Sequence, residues 1–218
     1  GQTGKVDYDS IGLPKADHLT WKNGKLTSQT YAQQSVTNYD KLPITQQSAI
    51  VDYTGSSSSS INSKFWEGNP TGKAAAAAAG LKAASVELIP GTTLSRRISV
   101  DSAAVKALQA SVGKVLQEPA IASTSINPDV FSGNVQFKMV VGPGVKGLYV
   151  GPGTGHAKGV KASNKAISHY ASEYEVILPP NHRIVIQGVR KAHSGDPDGF
   201  GNKPGDQWIV DALVLPSL

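Results

Sequence analysis

The chain has 218 residues, 39% of them hydrophobic, with a formal charge of +5 and a pI near 9.3. That length suits one domain, alone or with an N-terminal extension. Its Lys and Arg residues are too dispersed for a nucleic-acid or membrane patch, although a mild basic excess suits an acidic partner such as a dinucleotide. No cysteine is present, which excludes a disulfide framework and a thiolate metal site, and no apolar run reaches the length of a membrane span.

Residues 1–44 are polar and lack periodicity, which predicts an extension with one or two short helices, one around Thr27–Asn38, closed by Pro43. Residues 45–218 then form the main domain. Thr45–Tyr53 predicts a helix with Thr45 as its N-cap. Gly55 and the serine run Ser56–Ser60 interrupt it, and Ile61–Trp66 predicts a short helix returning. Lys73–Ala84 holds six consecutive alanines, so propensity alone predicts a helix there, on a tolerant surface. Ser102–Leu116 places Ala103, Val105, Leu108, Val112 and Val115 at roughly helical spacing. Strands are predicted over Thr92–Ile98, Ile121–Ile126, Val135–Val141, Gly147–Val150, Glu173–Leu178, Arg183–Val189 and Trp208–Leu215, separated by clusters of Gly, Pro, Asn and Asp. Helices first and strands later indicate an α+β fold rather than a doubly wound α/β sheet.

Some familiar motifs fail on context. Gly142, Gly144 and Gly147 follow a predicted strand with dinucleotide-fingerprint spacing. The fingerprint needs a helix next, and Leu148-Tyr149-Val150 is strand-like, so the segment is read as a hairpin turn. Gly151–Gly159 lacks the Gly-Lys-Ser/Thr of a P-loop. Asp196–Gly201 resembles a calcium loop, but Phe200 and Gln207 stand where ligand oxygens are needed. His18, His156, His169, His182 and His193 show no ligand spacing, so no metal site is assigned.

Three polar features remain. Glu173 and Glu175 open a predicted strand, where i and i+2 share a face about 7 Å apart. Two such acids repel unless something cationic joins them, so the pair is either a solvated face or a site that stabilises positive charge. Ser123-Thr124-Ser125 places three hydroxyls in an otherwise apolar strand, and Arg96-Arg97 ends another. Either arginine could clamp a phosphate bidentately, and each feature alone also fits an ordinary surface.

Their order is more specific. An arginine strand, then Ser-Thr-Ser, then Glu-x-Glu resembles the mono-ADP-ribosyltransferases of the Arg–Ser–Glu class, in the exoenzyme-type branch that includes the clostridial binary toxins; phage-encoded transferases belong to the same broad class. Ala49–Gly55 with Ile61-Asn62 resembles the family's first NAD-binding helix and loop. Leu94–Arg97, Ile121–Ile126 and Phe137–Val150 resemble the three strand segments that follow, and His169–Pro180 resembles the acceptor loop and catalytic strand. The likeness covers about residues 45–215.

The resemblance implies a split β-sandwich with N-terminal helices flanking an NAD cleft, and an NAD-dependent transfer of ADP-ribose to a target protein. It implies that Arg96, helped by Arg97, holds a phosphate, that Ser123 orients Glu175, and that Glu175 binds the 2′-hydroxyl of the nicotinamide ribose. Tyr53, Thr124 and Lys138 fall at further cofactor-contacting positions. Tyr170 and Glu173 would meet the acceptor, with Glu rather than Gln at 173 marking arginine modification. Secretion or injection into a target cell, with action in its cytoplasm, goes with the toxin or phage-effector kind. NAD glycohydrolysis, or an inactive structural or virion module on the same fold, are the alternatives. The chain departs from the pattern at Ser58, where many relatives have a second tyrosine, and at Ala120, where binary toxins have asparagine.

Overall fold

The structure is a computed structural model that describes residues 21–202 and 205–217. Among these residues the helices are α1 (Trp21–Tyr39), α2 (Ile44–Thr54), α3 (Ser58–Trp66), α4 (Gly72–Ala84) and α5 (Ser102–Ala110). The strands are β1 (Val86–Glu87), β2 (Thr93–Ile98), β3 (Val115–Glu118), β4 (Ala122–Ser125), β5 (Val135–Val141), β6 (Lys146–Tyr149), β7 (Glu175–Leu178), β8 (His182–Lys191) and β9 (Trp208–Leu215). The architecture is α+β, as the order of elements in the sequence requires.

The strands follow the order β1-β6-β7-β4-β2-β5-β9-β8-β3. All neighbours are antiparallel except β5 and β9. Between β4 and β2 the ladder thins to a single residue pair, Ser95 with Ser125. That seam divides the strands into two halves, β1-β6-β7-β4 and β2-β5-β9-β8-β3. Alternation along β7 shows how they pack. Val176 and Leu178 point into a core shared with Leu94, Phe137, Met139 and Val210 of the other half. Ile177 points the opposite way, into a core with Ile50, Ile61 and Leu81 of α2, α3 and α4. The layers are therefore α1–α4, one half-sheet, then the other, with α5 against β8 of the second: a split sandwich whose N-terminal helices lie on one flank.

Packing revises several local expectations. One face of α4 is core rather than tolerant surface: Ala77 and Ala84 are fully buried, and a Cβ added at Gly80 would come 2.9 Å from Ile50 Cδ1. Small residues let α2 and α4 approach. Pro43 rather than Thr45 precedes the first turn of α2, its carbonyl accepting from the N–H groups of Gln46 and Gln47. The interruption after α2 is short, Gly55–Ser57, and Ser58–Ser60 already belong to α3. Helix α5 stops at Ala110, and Gly113, with φ of 83°, turns the chain into β3. There, pairing with β8 overrides the helical spacing of Val115. The Gly142–Val145 turn crosses from one half to the other and is not a hairpin turn, because β5 and β6 pair with different neighbours. The segment read as an extension supplies buried side chains: Tyr31 enters one core, while Val36 and Tyr39 enter the other. Residues 1–20 lie outside the described residues.

Candidate active site

By strand alternation, Glu175 shares a face with Ile177, and Ser123 and Ser125 share a face with Ile121. All these side chains look toward the helices. Beside them, near the seam, lies a cleft of about 420 Å³. Tyr53 of α2, Ser58, Asn62 and Trp66 of α3, Ser123 of β4 and Arg96 of β2 contribute to its wall.

Glu175 is 2% exposed and lies opposite Ser125 in the ladder. The Ser168 hydroxyl donates to its Oε1 at 3.4 Å. Burial raises its pKa to about 7; hydrogen bonds from Ser123 and Ser168 oppose that rise, and the charge of Glu173 adds to it. Tyr53 supports the same group from behind. Its hydroxyl lies 2.9 Å from Ser123 Oγ and 3.3 Å from the Ile121 carbonyl. Burial pushes the Tyr53 pKa up to about 12, so the phenol keeps its proton. With Tyr53 donating to Ser123, the serine hydrogen is left for Glu175. Asn62 ties α3 to this strand, donating to the Ile121 carbonyl at 2.9 Å and accepting from the Ile121 N–H at 3.0 Å.

Glu173 departs from expectation. It closes a short 3₁₀ turn, Ala171–Glu173, and Tyr174 adopts φ of 47° before β7 begins at Glu175. A non-glycine residue at positive φ is uncommon and gathers at functional sites. The two carboxylates are thus not strand neighbours on one face: one is buried at a strand start and the other sits in a half-buried turn. The Ser125 hydroxyl donates to the Glu173 carbonyl and fastens that turn. Desolvation raises the Glu173 pKa. Tyr170, just before it, is 54% exposed. The loop leading here is anchored by the Asp40 carboxylate, which accepts from the N–H groups of Lys158 and Gly159.

Arg96 shares a face with Leu94 and Ile98 and reaches the cleft. Its Nη1 lies 3.2 Å from both oxygens of Glu118, and Glu118 Oε2 lies 2.7 Å from His182 Nε2. Burial pushes the Glu118 pKa up, but the His182 hydrogen bond and the Arg96 charge outweigh it and hold it below the usual value. A second cavity of about 330 Å³ shares Trp66 and Arg96 with the first; Leu108, Phe137 and Met139 are in its wall, with Glu118 and His182.

Three expected cofactor-contacting residues are not brought to the cleft. Arg97 points to the opposite face from Arg96, as the next residue of a strand must. Its side chain is 2% exposed, paired with Asp129 at 3.1 Å and stacked 4.9 Å from the Phe200 ring centroid. Lys138 is in register with Ser95, on that same outer face. Thr124 is fully buried between the half-sheets, donating to the Val176 carbonyl at 2.7 Å. Conversely, Ser168, Trp66, Glu118 and His182 belong to the site region without having been given a role there, and Asn62 stood only within a segment likened to the first NAD-binding helix and loop. Asn62 and Trp66 carried one readable signal, a one-turn spacing on a helix; the others depend on distant pairings.

No family model and no curated protein sequence matches the chain. Solved structures do. Plx2a, an ADP-ribosyltransferase toxin from Paenibacillus larvae, superposes with a TM-score of 0.63 at 17% identity over 88% of this chain and 96% of that one. The C3 exoenzyme of Clostridium limosum gives 0.62 at 18% identity over 93% and 100%. BECa, an ADP-ribosylating toxin of a C. perfringens binary enterotoxin solved with NADH, gives 0.62 at 14% identity over 91% of this chain and 50% of that one. The fold is that of the exoenzyme-like and binary-toxin ADP-ribosyltransferases.

Proposed function

We propose that this chain, built on the fold of the ADP-ribosyltransferase toxins, is an NAD-dependent mono-ADP-ribosyltransferase that modifies a protein. The observation that carries the reading is Glu175: a carboxylate withdrawn from water, held by serine hydroxyls, beside a cleft that also holds an arginine.

Breaking the nicotinamide–ribose bond leaves positive charge on the ribose. An ionised carboxylate fixed beside that sugar stabilises the oxocarbenium-like state more than the ground state, as in glycosidases. Glu175 takes that role, with Ser123 and Ser168 orienting it. Arg96 engages the pyrophosphate through charge-assisted hydrogen bonds. Nicotinamide leaves with the bonding electrons, and the acceptor nitrogen attacks the ribose carbon and loses a proton.

The acceptor we assign is an arginine. Its guanidinium is cationic at neutral pH, and Glu173, half-buried on a turn beside exposed Tyr170, can pair with it. The raised pKa of Glu173 suits a group that then takes the proton. The target would be a protein of another cell, in keeping with the toxins that share the fold.

The test is incubation of the chain with biotin-tagged NAD and bacterial or eukaryotic lysates, beside Glu175→Ala. We expect labelled protein with wild type and a loss of about 10²–10³ in rate with the variant. Nicotinamide release without label would point to NAD hydrolysis instead. Inactivity of both proteins toward NAD would reject the reading.

A further inference from the structure

We infer that Glu118 and His182 are positioning residues for Arg96: from β3 and β8 they hold its guanidinium in the cleft, with part of its donor set left for the phosphates of the substrate. The inference rests on the NAD reading above and concerns groups that reading does not use.

A guanidinium carries five N–H donors. Glu118 occupies only Nη1 of Arg96, through both carboxylate oxygens at 3.2 Å. Among the described residues, Nε and Nη2 of Arg96 make no hydrogen bond, so an anchored arginine still offers a fork to an anion. Anchoring matters because the Arg96 side chain is 32% exposed. A long side chain ordered before binding gives up less rotamer freedom when its ligand arrives.

His182 anchors the anchor. It is 4% exposed and stands opposite Glu118 in the β3–β8 ladder. Its Nε2 lies 2.7 Å from Glu118 Oε2 and its Nδ1 lies 3.0 Å from the Pro179 carbonyl. A carbonyl and an ionised carboxylate can only accept. Both ring nitrogens thus face acceptors, and the imidazole bridges the Glu118 carboxylate and the turn between β7 and β8. The charged groups around it are Glu118 from β3 and, beyond it, Arg96 from β2; Leu116, Phe137, Met139 and Ile184 line the rest of that cavity. Removing the imidazole would leave the carboxylate without its second partner and loosen Arg96.

A competing account makes Glu118 a rival of the phosphate for Arg96, and it predicts the opposite sign. The experiment is steady-state NAD turnover by the full chain and its variants at one fixed pH. For Glu118→Gln we expect KM for NAD to rise about tenfold, the scale of one charged hydrogen bond, with kcat within about twofold. His182→Ala should raise KM in the same direction, again with kcat within about twofold. An unchanged or lower KM in Glu118→Gln overturns the inference, as does an unaltered KM in His182→Ala. So does a joint fall of kcat and melting temperature with no selective effect on KM. Each of these leaves the transferase reading standing. A wild type that never consumes NAD removes both.

Discussion

At Glu175, stability and chemistry pull in opposite directions. Its folded pKa, about 7, stands above the ordinary glutamate value of 4.5. Between those values the folded state binds the proton more tightly than the unfolded chain does. Stability from this group is therefore fully present below about 4.5 and is lost as pH rises toward 7. At pH 8 we expect Glu175→Gln to be more stable than wild type by roughly 3 kcal/mol at most, since each pKa unit corresponds to about 1.4 kcal/mol. At pH 4 the difference should vanish; thermal unfolding at both pH values checks it. In the proposed mechanism turnover needs the opposite state, so wild-type kcat/KM should climb through pH 7. Glu173→Gln should lose arginine transfer yet keep some NAD hydrolysis, read by parallel assays of label and free nicotinamide; equal loss of both would remove the division of labour. At this scale residue types were legible: the ordered Arg96, Ser123, Glu173 and Glu175 stand in the sequence. The outward turn of Arg97 was readable too, since neighbours on a strand face opposite ways. The pairing of Glu118 with His182, 64 residues apart, was not.

Among the elements, α3 decides what the mouth of the cleft offers. Trp66 follows Asn62 by one turn and is 62% exposed, in the wall of both cavities. A bare indole beside an arginine is a platform on which a flat base can stack, worth about 1–3 kcal/mol per base in nucleic-acid sites. We expect NAD titration to quench tryptophan fluorescence, and Trp66→Phe to remove that quench while Trp21 and Trp208 remain. Trp66→Ala should raise KM roughly tenfold with little change in melting temperature, because the ring is not core; an unaltered KM would mean that α3 only walls the cleft. Helix propensity and periodicity found α2, α4 and the long strands. They failed where tertiary contacts set a boundary: at α5, cut short by pairing of β3, and at Glu173, turned out of β7 by the left-handed Tyr174.

For the molecule as a whole, the α+β class and the helices-first order were readable from the chain. Strand order was not, because pairings such as β2 with β5 and β5 with β9 join distant segments and no local pattern encodes them. The consequence of that order is where it puts the seam. Glu175 and Ser123 lie on one half-sheet, and Arg96 with its anchor lies on the other, with a single residue pair bridging the ladder between them. We expect NAD to slow hydrogen exchange on both sides of the seam, at β4 and at β2, in one concerted step; protection confined to one half would disconnect the seam from the site.

Such a site works as a caliper. Each jaw grips a different part of one molecule, so a fragment long enough for only one jaw gains nothing from the other. Nicotinamide mononucleotide and AMP, supplied together, should bind far more weakly than the dinucleotide that joins them, because the covalent link makes the second grip intramolecular. The protein would then select its substrate by span, through a gap between two sheets.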